Sequence, residues 1–366
     1  MPHTLAKDHR VESSTAAALQ PEFDVFLQGT VFFDIVLTGL ETMPAKGTEV
    51  WASGMGSCPG GIANLAVAAA RLGLRTTLAA AFGDDVYGDF CWQTLCEQEG
   101  VDLSGSRRFA GWHSPVTVSM SVARDRSMVT HAHEAPVSAS QLLAGTPRAR
   151  AGIVHVEGTD EASLTAGRGD GTLLFADVGW DPTERWDSSV LDRLEGCHAF
   201  LPNSVEAMAY TRTDDPRAAL HRLAERVPLA VVTCGGQGAL AVDATTGEEE
   251  WAPSLPVNAY DPTGAGDVFG AALVLGTLRG WPLRQRLAFA NLCAALSVQQ
   301  VGGSLAAPGW GDIADWWSHV QADAAGGSAA ALEWRSRYDF LPAVLPAPPL
   351  RTGRRATATL ARASDA

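Results

Sequence analysis

From residue 23 to about residue 243 the chain alternates short β-rich runs, several ending in Gly, Asp or Asn, with helical patterns that separate several of them. That alternation leaves few folds open. Consecutive parallel strands need a crossover of a dozen or more residues, usually a helix that packs back on the sheet. The pattern therefore predicts an α/β chain with a doubly wound, mainly parallel sheet and helices on both faces. In such sheets ligands bind beyond the carboxyl ends of the strands, which is where the glycines and polar residues of this chain cluster.

The strand runs are "FDVFLQGTVFFDIVL" (a first strand and its exit), "RTTLAAAFG", "AGIVHVEG", "GTLLFADVG", "CHAFLPN" and "LAVVTCGGQGALAVD". Helical spacing is clearest in "GGIANLAVAAARLGL", where small residues follow a glycine pair, and in "YGDFCWQTLCEQEG", closed by Gly100. Two segments break the alternation. Residues 36–53 and 112–133 read as hairpin-like strands with turn signals and no crossover helix directly after them. They are expected to form a small accessory sheet, a lid over the site; the plainer alternative is two edge strands of the main sheet. Residues 1–20 are polar and aperiodic, as in a disordered arm. The proline- and arginine-bearing stretch 326–366 is expected to be a partly disordered extension after one large domain, 21–325.

Composition narrows the function. The formal net charge is −14, so the overall field repels nucleic acid and anionic membrane surfaces. An anionic substrate would need local positive charge or backbone donors. No apolar run reaches the length of a membrane span, and the six cysteines are scattered without a CxxC pair. A cytoplasmic protein with buried thiols is expected.

The chemistry is carried by "DPTGAGDVFGAALV", residues 261–274. Pro262 fixes one dihedral, Gly264 and Gly266 permit a tight turn, and an apolar helix begins near Asp267. The N–H groups at the start of that helix make a cradle for negative charge, with Asp267 at its rim. A carboxylate there can orient a hydroxyl nucleophile for phosphoryl transfer, whose loose transition state depends on positioning and charge stabilisation. Taken alone, the string fits a helix-capping Asp equally well.

The string does not stand alone. It closely resembles the C-terminal signature of the ribokinase-like (PfkB) carbohydrate kinase family. The resemblance implies that Asp267 is the catalytic base and that Gly264, Ala265 and Gly266 form the anion hole, with a monovalent-cation site, for an ion such as K+, near Asp261. "MGSCPGGIANLAVAAARLG" resembles the family's N-terminal signature, implying substrate contacts from Gly60, Gly61 and Asn64, with Asp34 of the first strand binding substrate hydroxyls. "LPNSVEAMAYT" resembles the motif linked to magnesium and phosphate, giving Asn203 and Glu206, although a capping box reads the same way. "VVTCGGQGALAV" resembles the nucleotide-binding strand and turn, giving Thr233, Gly235 and Gly238; a plain β-turn looks alike. "FGDDVYGDF" also matches, but Asp84 and Asp85 read as helix caps. The matches run in family order over roughly residues 24–310. They imply an ATP- and Mg2+-dependent kinase for a sugar or nucleoside, with a homodimer through the lid as one arrangement.

Departures bear on the acceptor. The glycine pair stands one residue closer to Asn64 than is usual, and the Lys that ribokinases carry after the pair is missing. Phe32 replaces an Asn, and no Lys precedes Asn203. Ribose and sugar phosphates lose support as specific acceptors, whereas Phe32 and Phe33 beside Asp34 hint at a nucleoside base wall. A non-catalytic sugar-binding protein is opposed by the intact Asp267 turn, and a dinucleotide oxidoreductase by the lack of GxGxxG after the first strand. His131 and His133 fall on one face of a lid strand that could touch substrate, with no third metal ligand at a suitable spacing. Asp177 ends a strand where the family often has a substrate-proximal Asp, while Arg185 reads as a phosphate contact or as a surface ion-pair partner.

Overall fold

In chain order the strands are β1 (Phe23–Gln28), β2 (Val31–Leu40), β3 (Gly54–Gly61), β4 (Thr76–Ala79), β5 (Ala81–Gly83), β6 (Arg107–Phe109), β7 (Val116–Val122), β8 (Asp125–His131), β9 (Ala149–His155), β10 (Leu173–Asp177), β11 (Ala199–Phe200), β12 (Leu229–Thr233), β13 (Ala239–Asp243) and β14 (Glu248–Ala252). The longer helices are α1 (Ile62–Arg71), α2 (Val86–Gln93), α3 (Ser204–Thr211), α4 (Pro216–Ala224), α5 (Ala265–Leu278), α6 (Leu283–Ser297), α7 (Trp310–Ala325) and α8 (Ala329–Arg337). The computed structural model describes residues 21–122, 125–138, 141–142, 148–156, 171–179, 181, 183–350 and 353–355. The arm expected at 1–20 and residues 356–366 of the extension lie outside the described residues.

The main sheet has the order β14-β13-β12-β11-β10-β9-β1-β4. Pairing is parallel from β4 to β12, and antiparallel only where β13 and β14 fold back at one edge. Buried strands alternate side chains between two cores, as period-2 geometry requires. Val25 and Leu27 point into a core with α1, α5, α6 and α7, while Phe26 points into one with α3 and α4. The doubly wound α/β class is therefore the one observed. Chain direction across the sheet reverses between β1 and β9, so the ligand crevice is expected there.

A separate sheet of order β3-β2-β7-β8 rises from this point. It begins only two residues after β1, because Gly29 and Thr30 alone separate β1 from β2. This corrects the expected lid segments. The strand entering the small sheet starts at Val31 rather than residue 36, residues 41–53 form no strand, and β3 ends on the Gly60–Gly61 pair. "GMGSCPGG" has no β-forming composition, and the sequence pattern assigns it no strand. It is a strand because its backbone pairs with β2 from Gly54 to Gly61, a tertiary effect that overrides local preference. "RTTLAAAFG" likewise splits into β4 of the main sheet and β5, which pairs with β6. β14, "EEEWA", escaped the pattern because charge at a sheet edge masks the strand.

Among the described residues no helix is long and apolar enough to cross a membrane. The thiols of Cys58, Cys91, Cys197 and Cys293 are buried, but Cys96 is exposed and Cys234 half-buried, which corrects the expectation of uniformly buried thiols.

Candidate active site

Asp267 lies on the first turn of α5. The helix is capped by Gly264, which holds the left-handed conformation (φ 75°, ψ 4°) and supplies no side-chain cap. Asp267 is therefore three residues inside the helix, not at the capping position that the duller reading assigned it. Its carboxylate accepts a hydrogen bond from Asn64 Nδ2 at 2.9 Å, across 203 residues of sequence. Asn64 belongs to the first turn of α1, and a Cβ on Gly264 would stand 3.1 Å from its Cγ. Both helix starts thus meet at one amide. Asn64 is only 5% exposed, and its Oδ1 has no hydrogen-bond partner. A buried acceptor left in that state costs free energy until a donor reaches it.

Asp34 is held nearby by the small sheet. It pairs in register with Cys58 of β3 and Thr117 of β7, is 7% exposed, and lies over Gly60 so closely that a Cβ there would overlap its carboxylate. Gly60 is thus required for close approach. Gly61 ends β3 and caps α1. Burial, with Asp34 and Asp261 adding charge, pushes the Cys58 thiol well above its ordinary range.

Behind this group, Asp261 is 1% exposed. Its carboxylate accepts from the N–H of Thr263 at 2.9 Å and of Gly302 at 3.3 Å, fixing the turn against the loop after α6. That loop carries Gly303 and Ser304, and Arg71 at the end of α1 ties it down; all three were missed in the sequence. Gly303 abuts Asn64 Oδ1 and Cys58 Sγ, with 3.3 and 3.4 Å to a Cβ placed there. Ser304 donates its hydroxyl to the carbonyl of Pro59. Arg71 donates to the carbonyls of Leu305 (2.8 Å) and Ala307 (2.6 Å) while paired with Glu99 at 2.7 Å. The Gly302–Gly303 pair was a visible signal; Arg71 gave none, since a basic residue ending a helix is ordinary.

The second group of expected residues gathers at the ends of β11 and β12. Asn203 and Thr233 form a parallel bridge. Gly235 and Gly238, with φ of 53° and 103°, shape the turn into β13. Asn203 and Glu206 form a capping box at the start of α3: the Asn203 side chain accepts from the N–H of Val205 and Glu206, and Glu206 accepts from the N–H of Asn203 at 2.9 Å. α5 bridges the two groups. A Cβ on its Gly270 would lie 3.5 Å from Leu65 of α1 and 3.8 Å from Leu201, just before Asn203.

Other residues singled out in the sequence fall as follows. Phe33 is buried in ring contact with Tyr87 (5.0 Å) and Phe90 (5.2 Å), so it is core rather than an open wall. Asp85 caps α2, accepting from Gly88, and also accepts from the N–H of Ser114, both at 2.8 Å. Burial works against its charge, but these donors and His113 hold it below the usual carboxylate range. Asp177 ends β10 beside His155 of β9, and Arg185 Nε donates to Thr183.

Residues 29–309 match the pfkB family carbohydrate kinase. A fructokinase of Klebsiella pneumoniae is 32% identical over 278 residues, covering 69% of this chain and 89% of the fructokinase. The chain belongs to the pfkB family of carbohydrate kinases. A nucleoside kinase of Methanothermobacter thermautotrophicus is 27% identical over 309 residues, covering 79% of this chain and 94% of that enzyme. Among solved structures, a ribokinase of Arabidopsis thaliana complexed with ribose and ATP is similar with a TM-score of 0.64 at 20% identity, covering 78% of this chain and 96% of that one. As a pfkB family kinase, the protein is a phosphotransferase with an alcohol acceptor, within the sugar and nucleoside kinases. Its fold, a doubly wound sheet with a small separate sheet, is ribokinase-like.

Proposed function

We propose that this pfkB family kinase transfers the γ-phosphate of ATP to a hydroxyl of a sugar or sugar-like acceptor, with Asp267 as base and the Gly264–Gly266 turn as anion hole. The observation that carries the reading is the Asn64–Asp267 hydrogen bond, which joins the acceptor-side glycine-pair helix to the carboxylate beside the phosphate turn. Asp34, Gly60, Gly61 and Asn64 hold the acceptor; the unpartnered Oδ1 of Asn64 accepts from one of its hydroxyls. Asp267 receives the proton of the attacking hydroxyl. The first N–H groups of α5, uncapped by any side chain, face the charge that develops on the transferred group.

The residues present fit a nucleotide: a Cβ added at Gly235, Gly236 or Gly266 meets nothing within 4 Å, so both turns offer open backbone. Bound Mg2+–ATP supplies the phosphoryl group and offsets its charge. Thr233, Gly235 and Gly238 hold the nucleotide, while Asn203 and Glu206 contribute to magnesium through water, because their side chains are already engaged in the capping box. Asp261, tied to the N–H groups of Thr263 and Gly302, supports a monovalent cation such as K+. The small sheet acts as a lid that excludes water, and its exposed Met128 (54%) and Val129 (62%) support pairing of two lids in a homodimer.

ADP release with Mg2+–ATP, measured over neutral sugars, sugar acids, sugar phosphates and nucleosides, tests the reading. Acceptor-dependent turnover is expected to fall by about a hundredfold or more in Asp267→Asn. Turnover that survives this change would assign the base elsewhere.

A further inference from the structure

The loop between α6 and α7, residues 298–309, frames the proposed site from behind. The carbonyl of Val298 accepts from the N–H groups of Tyr260 (2.7 Å) and Asp261 (3.2 Å), and the N–H of Gly302 donates to the Asp261 carboxylate. Gly303 abuts Asn64, and Ser304 donates to the carbonyl of Pro59, the residue before Gly60. A shift of this loop therefore moves Asp261 with the turn that follows it, and Asn64, which donates to Asp267.

Where the loop starts depends on how the end of α6 is satisfied, because the last four carbonyls of a helix lack intrahelical partners. The carbonyl of Ala294 accepts from the N–H of Val298, that of Ala295 from Gln299 Nε2, and that of Ser297 from the N–H of Gln300. These three donors follow directly in the chain. The carbonyl of Leu296 accepts instead from Arg355 Nη1, at 2.6 Å and 59 residues away. A cation there also faces the negative end of the helix dipole. At the other end of the loop Arg71 holds the carbonyls of Leu305 and Ala307. Two guanidinium groups thus pin both ends of one loop.

Arg355 is held by a short strap, residues 353–355, laid across the first turn of α7. The N–H of Gly311 donates to the carbonyl of Gly353 at 2.7 Å. A Cβ on Gly309 or Gly311 would stand 2.4 or 2.7 Å from that oxygen, so both glycines are needed for the strap to lie down. The carboxylate of Asp312 accepts from the N–H groups of Gly309 (2.9 Å) and Arg355 (2.8 Å) and pairs with the Arg355 guanidinium at 3.3 Å. Those two side chains are 20% and 11% exposed. Arg354 points outward and pairs with Asp315 at 2.9 Å, with both side chains about half exposed. The family match ends at residue 309, so the strap lies beyond the part of the chain that the family shares.

We propose that Arg355 is a positioning residue for phosphoryl transfer. By holding the end of α6 it fixes Val298 and Gly302, and through them Asp261 and the turn that leads to Asp267. This rests on the kinase reading above and adds to it a residue that touches no reactant.

The test compares wild type with Arg355→Met, Arg355→Lys and Arg354→Ala. It reads steady-state kinetics over the acceptor panel and, on the full chain without substrates, hydrogen exchange by mass spectrometry. In Arg355→Met, which keeps the aliphatic stem and removes every donor, kcat is expected to fall about tenfold or more. Both KM values should stay within about threefold, since the loop shapes the turn and binds nothing itself. Exchange in peptides spanning residues 259–267 and 298–307 should quicken by about tenfold or more. Arg355→Lys keeps a cationic donor at the helix end and should recover most of both changes. Arg354→Ala removes an exposed pair on the same strap and should leave both near wild type. A lowered Tm in Arg355→Met, with kcat and the exchange of both peptides unmoved, would make the strap a fold stabiliser and overturn the inference. Equal losses of kcat in Arg354→Ala and Arg355→Met would overturn it too. Turnover that requires Asp267 yet ignores Arg355 would overturn it and leave the kinase reading standing. The exchange comparison needs no acceptor, so it decides whether Arg355 holds the Asp261 turn even if the kinase reading fails.

Discussion

The proposed acceptor end and the proposed nucleotide end of this site are built in opposite ways. At the acceptor end, side chains interlock: Asp34 fills the space over Gly60, Asn64 is wedged between Gly264 and Gly303, and Ser304 and Arg71 tie the surrounding loops. At the nucleotide end, backbone does the shaping. Gly235 and Gly236 stand in open space, and Asn203 and Glu206 satisfy each other's N–H groups. The contrast teaches that one end fixes side-chain positions by close packing, while the other offers a permissive surface held up by an ordinary helix cap.

That contrast can be broken by substitution. The largest effect is expected from Gly60→Ala, because the new methyl must displace the Asp34 carboxylate. Displacement of a substrate ligand by about an ångström costs on the order of a hundredfold in kcat/KM, and overpacking adds about 1–3 kcal/mol of destabilisation; steady-state kinetics and thermal melts report both. Asn64→Leu keeps the branched outline of the side chain and removes the donor to Asp267. Its turnover is expected to drop by about tenfold or more, and because the two methyls are bulkier than the amide against Gly264 and Gly303, Tm is expected to fall as well. Glu206→Ala opens the capping box and should cost about 1 kcal/mol of stability, read by denaturant titration, with a several-fold rise in the magnesium needed for half-maximal rate. Gly236→Ala is the smallest. With nothing near the added methyl, KM for ATP should stay within about threefold; a larger change would show that nucleotide binding is as tightly fitted as acceptor binding.

The same contrast governs how much could be read in advance. The Gly264–Asp267 turn and the buried face of α1 are local features, since turn chemistry and helical spacing reside in adjacent residues, and the doubly wound sheet follows from the strand–helix alternation. β3 was invisible because a glycine- and proline-rich stretch becomes a strand only when β2 lies beside it. Arg71 and Arg355 were invisible for a related reason: nothing near them in sequence indicates the carbonyls of Leu305 and Ala307, or that of Leu296. At the nucleotide end the sequence could not choose between a cap and a ligand for Asn203 and Glu206, and the geometry explains why. The side chains that would serve a metal through water are the same ones that close the helix.

Because β2 continues β1 after only two residues, the carboxylate of Asp34 rides on the small sheet, whereas Asp267 rides on α5 of the main α/β body. On the proposed roles, recognition is shared between the small sheet, through Asp34, and the start of α1, through Asn64, and only the first of these lies off the body that carries Asp267. The β7–β8 hairpin pairs with β2 and not with the large sheet, so its exchange alters the surroundings of Asp34 without rebuilding the sheet on which α5 packs.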